Sequence, residues 1–364
     1  MAAPPTRMTA APPTPLRLST LLSTCVDACG RGCAEIRAVQ ARRDAGGSLD
    51  IELKVANDPR SALTEADMAA QRAIVGSLRA EWPGLRIVGE EDEVGNSNPS
   101  SAAAHTPLRR DLCTAIDSDA TAPLSDIVVF VDPVDGTREF VEGRLRNCQA
   151  LVGVAVRGRA LAGAIGLPFP SWNLSTEPTV VYGQVGAGAG VVGAPLAPRA
   201  RDDVTGPCSA DAPRPFVATG DSSHPVMGAL RRAALAGGGT NLVYGGAGNK
   251  ILAVATGEVD CALMHTFGGP WDVCAPEAVL VAMGGSLTDL SGRPVAVYSE
   301  RGRGGNALGF VATRPPGLGS PDDGAPASHS HGELCGALCA EPEVRRWCEA
   351  GAARAGLPLP FGFD

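Results

Sequence analysis

Ile127-Val128-Val129-Phe130-Val131-Asp132-Pro133-Val134-Asp135-Gly136-Thr137 is the stretch on which the reading of this chain turns. Its first five residues are a continuous apolar, largely β-branched run bounded by polar residues, the pattern of a strand buried on both faces. Asp132 and Asp135 stand three apart at the end of that strand. Pro133 fixes the backbone between them, so the two carboxylates converge on one point. Carboxylates so close repel, and neither ionises cheaply without a cation. A hard divalent cation with oxygen ligands answers that repulsion, and Mg2+ suits carboxylates combined with phosphate oxygens. Gly136 and Thr137 then open a turn or helix whose free amides and hydroxyl can meet an anion. Aspartate capping of a turn explains one of the two acids but not both.

Outward from this stretch the chain divides. On the N-terminal side, Leu16 to Ala41 has helical spacing, and Ser61 to Trp82 predicts a second helix with Ala69, Ala70, Ala73, Ile74 and Leu78 on one side. Pro83 and Gly84 end it. Arg86 to Val88 makes a short strand running into Gly89-Glu90-Glu91-Asp92, and Val94 to Ser125, without periodicity, reads as a surface insertion. Beyond Thr137, Ala150 to Val156 and Ala160 to Leu167 form a hairpin about Arg157-Gly158-Arg159. The first half is thus α+β, helices against an antiparallel sheet. From Pro215 to Leu290 short strands and helices alternate, and this half is α/β. A run rich in Pro, Gly, Ser and Asp follows Thr313, and then a short helical tail, Pro342 to Ala355, expected to be peripheral. The organisation expected is an N-terminal extension (1–15), an α+β metal-binding domain (16–184), an α/β substrate-binding domain (185–313), and a linker with a C-terminal tail (314–364).

Composition narrows the function. In 364 residues the formal charge is -8 and aromatic residues are only 4%, so a net basic face and a platform of rings are both wanting, and with them nucleic-acid polymers and anionic membranes as partners. No stretch reaches the ~20 apolar residues of a membrane span. Met1 to Pro15 has no apolar signal core, and a cytoplasmic setting is the default, with Arg7 and Arg17 leaving a short organelle-targeting extension open. The 11 cysteines contain no C-x-x-C pair, so zinc ribbons and thioredoxin-like chemistry are not indicated. Cys25, Cys29 and Cys33, four apart on one helix face, read as small packing residues in preference to a redox or metal site.

Other motifs have competing readings. Glu90, just past a strand end, is either in a solvated loop or a ligand source. Asp272, after Trp271 at the start of an apolar helix, suits an N-cap first, and a metal ligand is compatible with that because one oxygen can serve each. Asp67 falls mid-helix after Thr64-Glu65-Ala66, where a polar-face acid is as good an account as a functional one. Gly188, Gly190 and Gly193 match G-x-G-x-x-G, but Pro195 and Pro198 forbid the helix a dinucleotide site needs, leaving a glycine-rich connection between the halves. Gly245-Gly246-Ala247-Gly248-Asn249-Lys250 leads into a helix without the Ser or Thr of a P-loop, and suits a single phosphate or ribose edge. His224, between Ser223 and Pro225, is an anion or base contact or an ordinary cap. His329 and His331 lie in the linker and have no catalytic part. No H-E-x-x-H, nucleophile elbow or Ser/His/Asp arrangement is present.

Taken in order, Thr64 to Asp67, Gly89 to Asp92, Asp132 to Thr137, Gly245 to Lys250 and Trp271 to Glu277 resemble the lithium-sensitive, magnesium-dependent phosphatases of the inositol monophosphatase superfamily. Arg138-Glu139-Phe140 and the Gly-Gly-Ala-Gly-Asn-Lys loop are most similar to its 3'(2'),5'-bisphosphate nucleotidases. The resemblance implies a layered α-β-α-β-α sandwich. It implies two or three Mg2+ ions held by Glu90, Asp132, Asp135, Asp272 and the Val134 carbonyl, with Asp67 and Thr137 orienting and deprotonating the attacking water. It also implies a nucleotide bisphosphate contacted by His224, Gly246, Lys250 and Asp272, its departing phosphate over the amides of Gly136 and Thr137, in a monomer or homodimer. The reaction implied is adenosine 3',5'-bisphosphate to AMP and phosphate, extending to its sulfated precursor. Phe267-Gly268-Gly269-Pro270 stands where such nucleotidases carry basic residues, which keeps an inositol polyphosphate 1-phosphatase as a rival and shifts the second phosphate to Lys250 or Arg138. A non-catalytic nucleotide sensor would have lost a ligand or the water-activating pair, and here every expected acid and Thr137 is present.

Overall fold

In the computed structural model, which describes residues 15–56, 62–91, 106–196, 215–266, 268–295, 298–299, 307–314 and 330–358, the chain enters through β1 (Leu16–Arg17) and runs straight into α1 (Leu18–Asp44). Leu18, Leu21, Leu22, Cys25, Cys29 and Cys33 recur at helical spacing and are all buried, which confirms one apolar stripe and a packing role for the thiols. β2 (Ile51–Leu53) and β3 (Ala62–Thr64) pair antiparallel, and β3 leads into α2 (Glu65–Glu81). The helix therefore begins four residues later than the apolar spacing predicts. Thr64 sets the start: its hydroxyl accepts from the Ala66 amide (3.2 Å), while its own amide donates to Asp67 Oδ2 (2.7 Å), so both ends of the box are satisfied. Asp67 is thus a first-turn residue, not a mid-helix one.

After β4 (Arg86–Gly89) and β5 (Thr121–Ala122), the decisive stretch forms β6 (Ile127–Asp135), buried along its whole length, and turns into the short α3 (Thr137–Val141). β7 (Gln149–Val156), β8 (Arg159–Leu167), β9 (Thr179–Gln184) and β10 (Gly188–Gly193) complete a sheet ordered β10-β9-β8-β7-β6-β4. Three expectations change here. β4 joins β6 in parallel, so the sheet is mixed. The glycines of 188–193 form an edge strand antiparallel to β9, so residues 185–193, counted with the second unit on the sequence pattern, belong to the first sheet. In the supposed surface insertion, Leu108 and Cys113 are buried in the core and β5 pairs with β1, while its 94–105 part lies outside the described residues.

The second sheet comes from β11 (Phe216–Thr219), α4 (Pro225–Ala234), β12 (Thr240–Val243), α5 (Ala247–Ala255), β13 (Cys261–Met264), α6 (Pro270–Ala282), β14 (Ser286–Thr288) and β15 (Phe310–Thr313), ordered β12-β11-β13-β15-β14. β11 is parallel to β12 and β13, and β15 is antiparallel to β13 and β14. The alternation of β6 shows the layering: Ile127, Val129 and Val131 enter the core with α1 and α2, whereas Val128 and Phe130 enter the core with α5, α6 and the second sheet. With so few rings to fill space, α6 lies directly on the first sheet. A Cβ at Gly163 would stand 2.4 Å from the Ala275 carbonyl oxygen, so only glycine admits that approach.

The outermost layer holds α4 together with α7 (His331–Ala340) and α8 (Pro342–Ala355). The layers run α-β-α-β-α as expected, but the tail is not peripheral. Leu334, Leu338, Val344 and Cys348 are buried against Val226, Met227 and Leu230 of α4. His331, expected to be idle in a linker, lies within hydrogen-bonding distance of both Thr313 Oγ1 (2.8 Å) and Thr288 Oγ1 (3.0 Å), fastening α7 to the sheet. His329, the rest of the linker from 315 and the N-terminal extension through 14 lie outside the described residues, as do Pro198 and Phe267. None of the described helices is long and apolar enough to cross a membrane.

Candidate active site

Pairing of β6 with β7 breaks register between Asp132 and Asp135, and such a bulge re-aims side chains that strict alternation would separate. Asp132, Asp135 and Asp272 each place a carboxylate oxygen within 4.8 Å of the others'. Asp272 comes from the first turn of α6, whose cap is Gly269, so it stands inside the helix rather than at the N-cap the sequence suggested. Amides at Gly269 and Asp272 itself donate to its carboxylate. Two like charges at that separation repel by roughly 3–4 kcal/mol at an effective dielectric near 20. Burial, followed by the charge of Glu90 and the neighbouring aspartates, drives the Asp132 and Asp272 carboxyls well above the ordinary carboxylate range. Burial likewise raises Asp135 to about 6 against the amides that lower it. Three converging carboxylates, two of them buried and outnumbering the Lys250 charge that reaches them, are the donor set that a hard, oxygen-seeking divalent ion fits.

Glu90 lies beside this trio at the end of β4, and its charge reaches Asp132, Asp272 and Asp67. Its own partner is Lys54 Nζ at 3.0 Å, which also contacts Glu91. Burial alone would lower Lys54, but the charge of Glu90 and the hydrogen bond to Glu91 hold it above the usual lysine value. Lys54 was not among the residues singled out in the sequence. Its only local signal is the alternation Glu52-Leu53-Lys54-Val55, which does not reveal that the β2–β3 hairpin brings it to the acids.

Asp67 and Thr137 meet although 70 residues separate them. Thr137 Oγ1 stands 2.9 Å from Asp67 Oδ1 and 3.0 Å from the Val134 carbonyl. Asp67 is 1% exposed, and burial pushes its carboxyl up to about 6, against the Thr64 and Thr137 hydroxyls that stabilise its charge. Gly136, with φ +88°, turns the chain so that Thr137 begins α3 here.

The glycine loop has a task that its pattern does not show. Ala247 and Asn249 amides donate to the two oxygens of Asp135 (2.9 and 3.3 Å), so the N-terminus of α5 steadies an aspartate. Gly246 has φ +70°, and a Cβ there would come within 2.6 Å of Asp135 Oδ2. Lys250 is buried, donates to the Gly246 carbonyl (2.7 Å), and burial lowers its pKa. Both still border the pocket.

That pocket holds about 560 Å3 and is lined by Glu90, Asp132, Val134, Asp135, Gly136, Thr137, Gly246, Lys250 and Asp272 among others. Lys54, Arg138, Asp221, Tyr244 and His265 also line it. Asp67 reaches it through Thr137. His224 is not part of the lining: its Nδ1 accepts from the Val226 amide (3.2 Å) as the cap of α4, and its backbone amide bonds Ser222, which does line the pocket. His265 was missed in the sequence because a histidine after an apolar strand has no spacing that marks it.

Residues 19–314 match the inositol monophosphatase family. The chain belongs to that family. It is 32% identical over 279 residues to 3'(2'),5'-bisphosphate nucleotidase 1 of Dictyostelium discoideum, covering 73% of this chain and 85% of the relative. The human 3'(2'),5'-bisphosphate nucleotidase 1 is also 32% identical, over 286 residues, covering 76% of this chain and 85% of the relative. Among solved structures, inositol monophosphatase II of Staphylococcus aureus superposes with a TM-score of 0.59 at 17% identity, covering 92% of this chain and 98% of that one. As a member of the inositol monophosphatase family the chain is an enzyme, a phosphatase.

Within this inositol monophosphatase fold, Asp132, Asp135, Asp272, Glu90 and the Val134 carbonyl are the groups that would hold divalent ions. When bound, such ions supply charge neutralisation for the phosphoryl oxygens and acidify water. The chain's own parts do the rest. Asp67, its oxygen bonded to the Thr137 hydroxyl, is placed to accept a proton relayed through that hydroxyl. Gly136 and Thr137 line the pocket where α3 begins.

Proposed function

We propose that this phosphatase hydrolyses adenosine 3',5'-bisphosphate to AMP and phosphate, with Mg2+ as its ion, and also takes the 3'-phosphate from the sulfated precursor. The supporting observation is the Asp67–Thr137 pair set beside the Asp132, Asp135 and Asp272 trio, in a pocket that also has Lys54, Arg138 and Lys250 on its walls. One end of such a pocket suits the phosphate that leaves, and the cations suit one that stays. The names of the relatives at 32% identity support the same substrate. Glu90, Asp132, Asp135, Asp272 and the Val134 carbonyl are assigned to the ions, Asp67 and Thr137 to the water, and Gly246, Lys250 and His224 to the nucleotide.

A second reading, an inositol polyphosphate 1-phosphatase, is favoured by one observation: Gly268-Gly269-Pro270 brings no cation to the start of α6. Phosphate release by purified protein with Mg2+, supplied with adenosine 3',5'-bisphosphate and inositol 1,4-bisphosphate in competition, separates the two. A kcat/KM at least tenfold higher for the nucleotide is expected. Preference for the inositol substrate overturns the proposal, and equal loss of activity in lithium and in sodium salts would remove the expected lithium sensitivity.

A further inference from the structure

The C-terminal helical pair lies beyond the 19–314 span of the family match, yet it reaches the pocket's edge. Trp347, on α8, packs into a trio of rings with His224 and His265. Its centroid is 5.0 Å from His224 in an edge-on contact (66°) and 5.3 Å from His265 (56°), and the two imidazoles stack at 5.3 Å and 28°. The Arg354 guanidinium stands 5.4 Å from the Trp347 ring centroid. α8 is itself anchored, since Val344 and Cys348 are buried and Glu341 pairs with Arg232 of α4 at 2.8 Å.

The trio is continuous with the pocket. His265 lines it, as does Ser222, whose hydroxyl lies 3.4 Å from His265 Nε2 and accepts from the His224 amide. Of the three rings, His265 is buried, Trp347 is half-buried and His224 is exposed. An exposed imidazole backed by two rings offers a face on which a flat heteroaromatic group can stack. Trp347 Nε1 adds a second observation. It is buried without a hydrogen-bond partner among the described residues, whereas a buried indole N–H ordinarily finds one.

We propose that Trp347 is a positioning residue: it holds His224 and His265 so that His224 presents a ring face to the base of a nucleotide substrate, which makes the C-terminal pair a determinant of preference for base-bearing phosphates. This rests on reading the substrate as a nucleotide. Trp347 touches no reacting atom in this scheme, so its effect belongs in KM and not in kcat.

The test compares full-length wild type, Trp347→Ala, Trp347→Leu and Trp347→Phe in Mg2+, measuring kcat and KM for adenosine 3',5'-bisphosphate and for inositol 1,4-bisphosphate, which carries two phosphates and no base. Trp347→Ala and Trp347→Leu are expected to raise KM for the nucleotide about tenfold, within the range that base stacking contributes, with kcat held and the inositol substrate unaffected. Trp347→Phe, which keeps a ring and removes the orphan N–H, should recover most of the nucleotide KM and melt no lower than wild type. If Trp347→Ala misfolds, Trp347→Leu and Trp347→Phe still decide the matter. A nucleotide KM that does not move, or that moves in parallel with the inositol KM, overturns this inference while wild-type nucleotide turnover leaves the substrate reading standing. Wild type that turns over only the inositol substrate overturns both.

Discussion

At the scale of single residues, the chemistry rests on acids whose surroundings keep their charge costly. Asp67 is the instructive one: buried, raised to about 6, and tied to Thr137. If it is the base that takes the proton through Thr137, Asp67→Asn and Thr137→Ala should each lower kcat about 10²–10⁴-fold with little change in KM. The same assignment sets a pH dependence. Asp67 must be ionised to act, so kcat should fall tenfold per unit as pH drops below about 6. A full pH-rate profile on the wild type checks this, and a flat acid limb would remove Asp67 from the role. Asp135→Asn should abolish turnover, because Asp135 is at once in the carboxylate trio and the acceptor for α5; substantial residual activity would count against the ion site.

At the scale of elements, the decisive contacts are between the ends of secondary structures. The N-terminus of α5 grips Asp135, α2 is capped by the acid it presents, and α6 starts with Asp272 in its first turn. Gly246→Ala tests the first of these. It forces a left-handed φ on a residue with a Cβ and drives that Cβ toward Asp135 Oδ2. A stability cost of about 1–3 kcal/mol is expected, with a kcat loss of at least tenfold because the displaced carboxylate belongs to the trio assigned to the ions. Thermal melting and steady-state kinetics on the same preparation separate the two effects, and wild-type kcat would show that α5 does not position Asp135. Legibility in the sequence followed range. β6 and its two aspartates were readable because their pattern is local, and the order of the five segments carried the family. The start of α2 was misplaced by four residues because a capping box and a helical face use the same letters. β10 looked like a connection because glycine depresses every strand signal, and Lys54 and Trp347 were invisible because each arrives by a tertiary contact.

At the scale of the whole molecule, a site of crowded carboxylates sits between two sheets and destabilises the layers that hold it. Asp67 and Asp135 are each raised to about 6 from an ordinary value of 3.8. The folded state therefore binds more protons than the unfolded state between roughly pH 4 and 6, and linkage makes stability fall as pH rises through that window. For these two acids the cost is complete above about 6, and the higher carboxyls of Asp132 and Asp272 carry it further. Ion-free protein in chelator should consequently melt higher at pH 5 than at pH 7.5, the reverse of the usual behaviour of salt-bridged carboxylates. Divalent ions need the ionised acids, so Mg2+ should have its largest effect at pH 7.5. At about 100 times its Kd a single ion adds about 2.7 kcal/mol, a rise of roughly 3–4 °C for a chain of this size. At pH 5 protons compete, and the rise should shrink below half of that. Melting curves at pH 5, 6 and 7.5, with chelator and with Mg2+, read both effects at once. A chelated protein whose Tm is level across the range would mean that the repulsion among these acids is already relieved inside the fold, and an unchanged Tm in Mg2+ at pH 7.5 would mean that the trio is not where the ion binds.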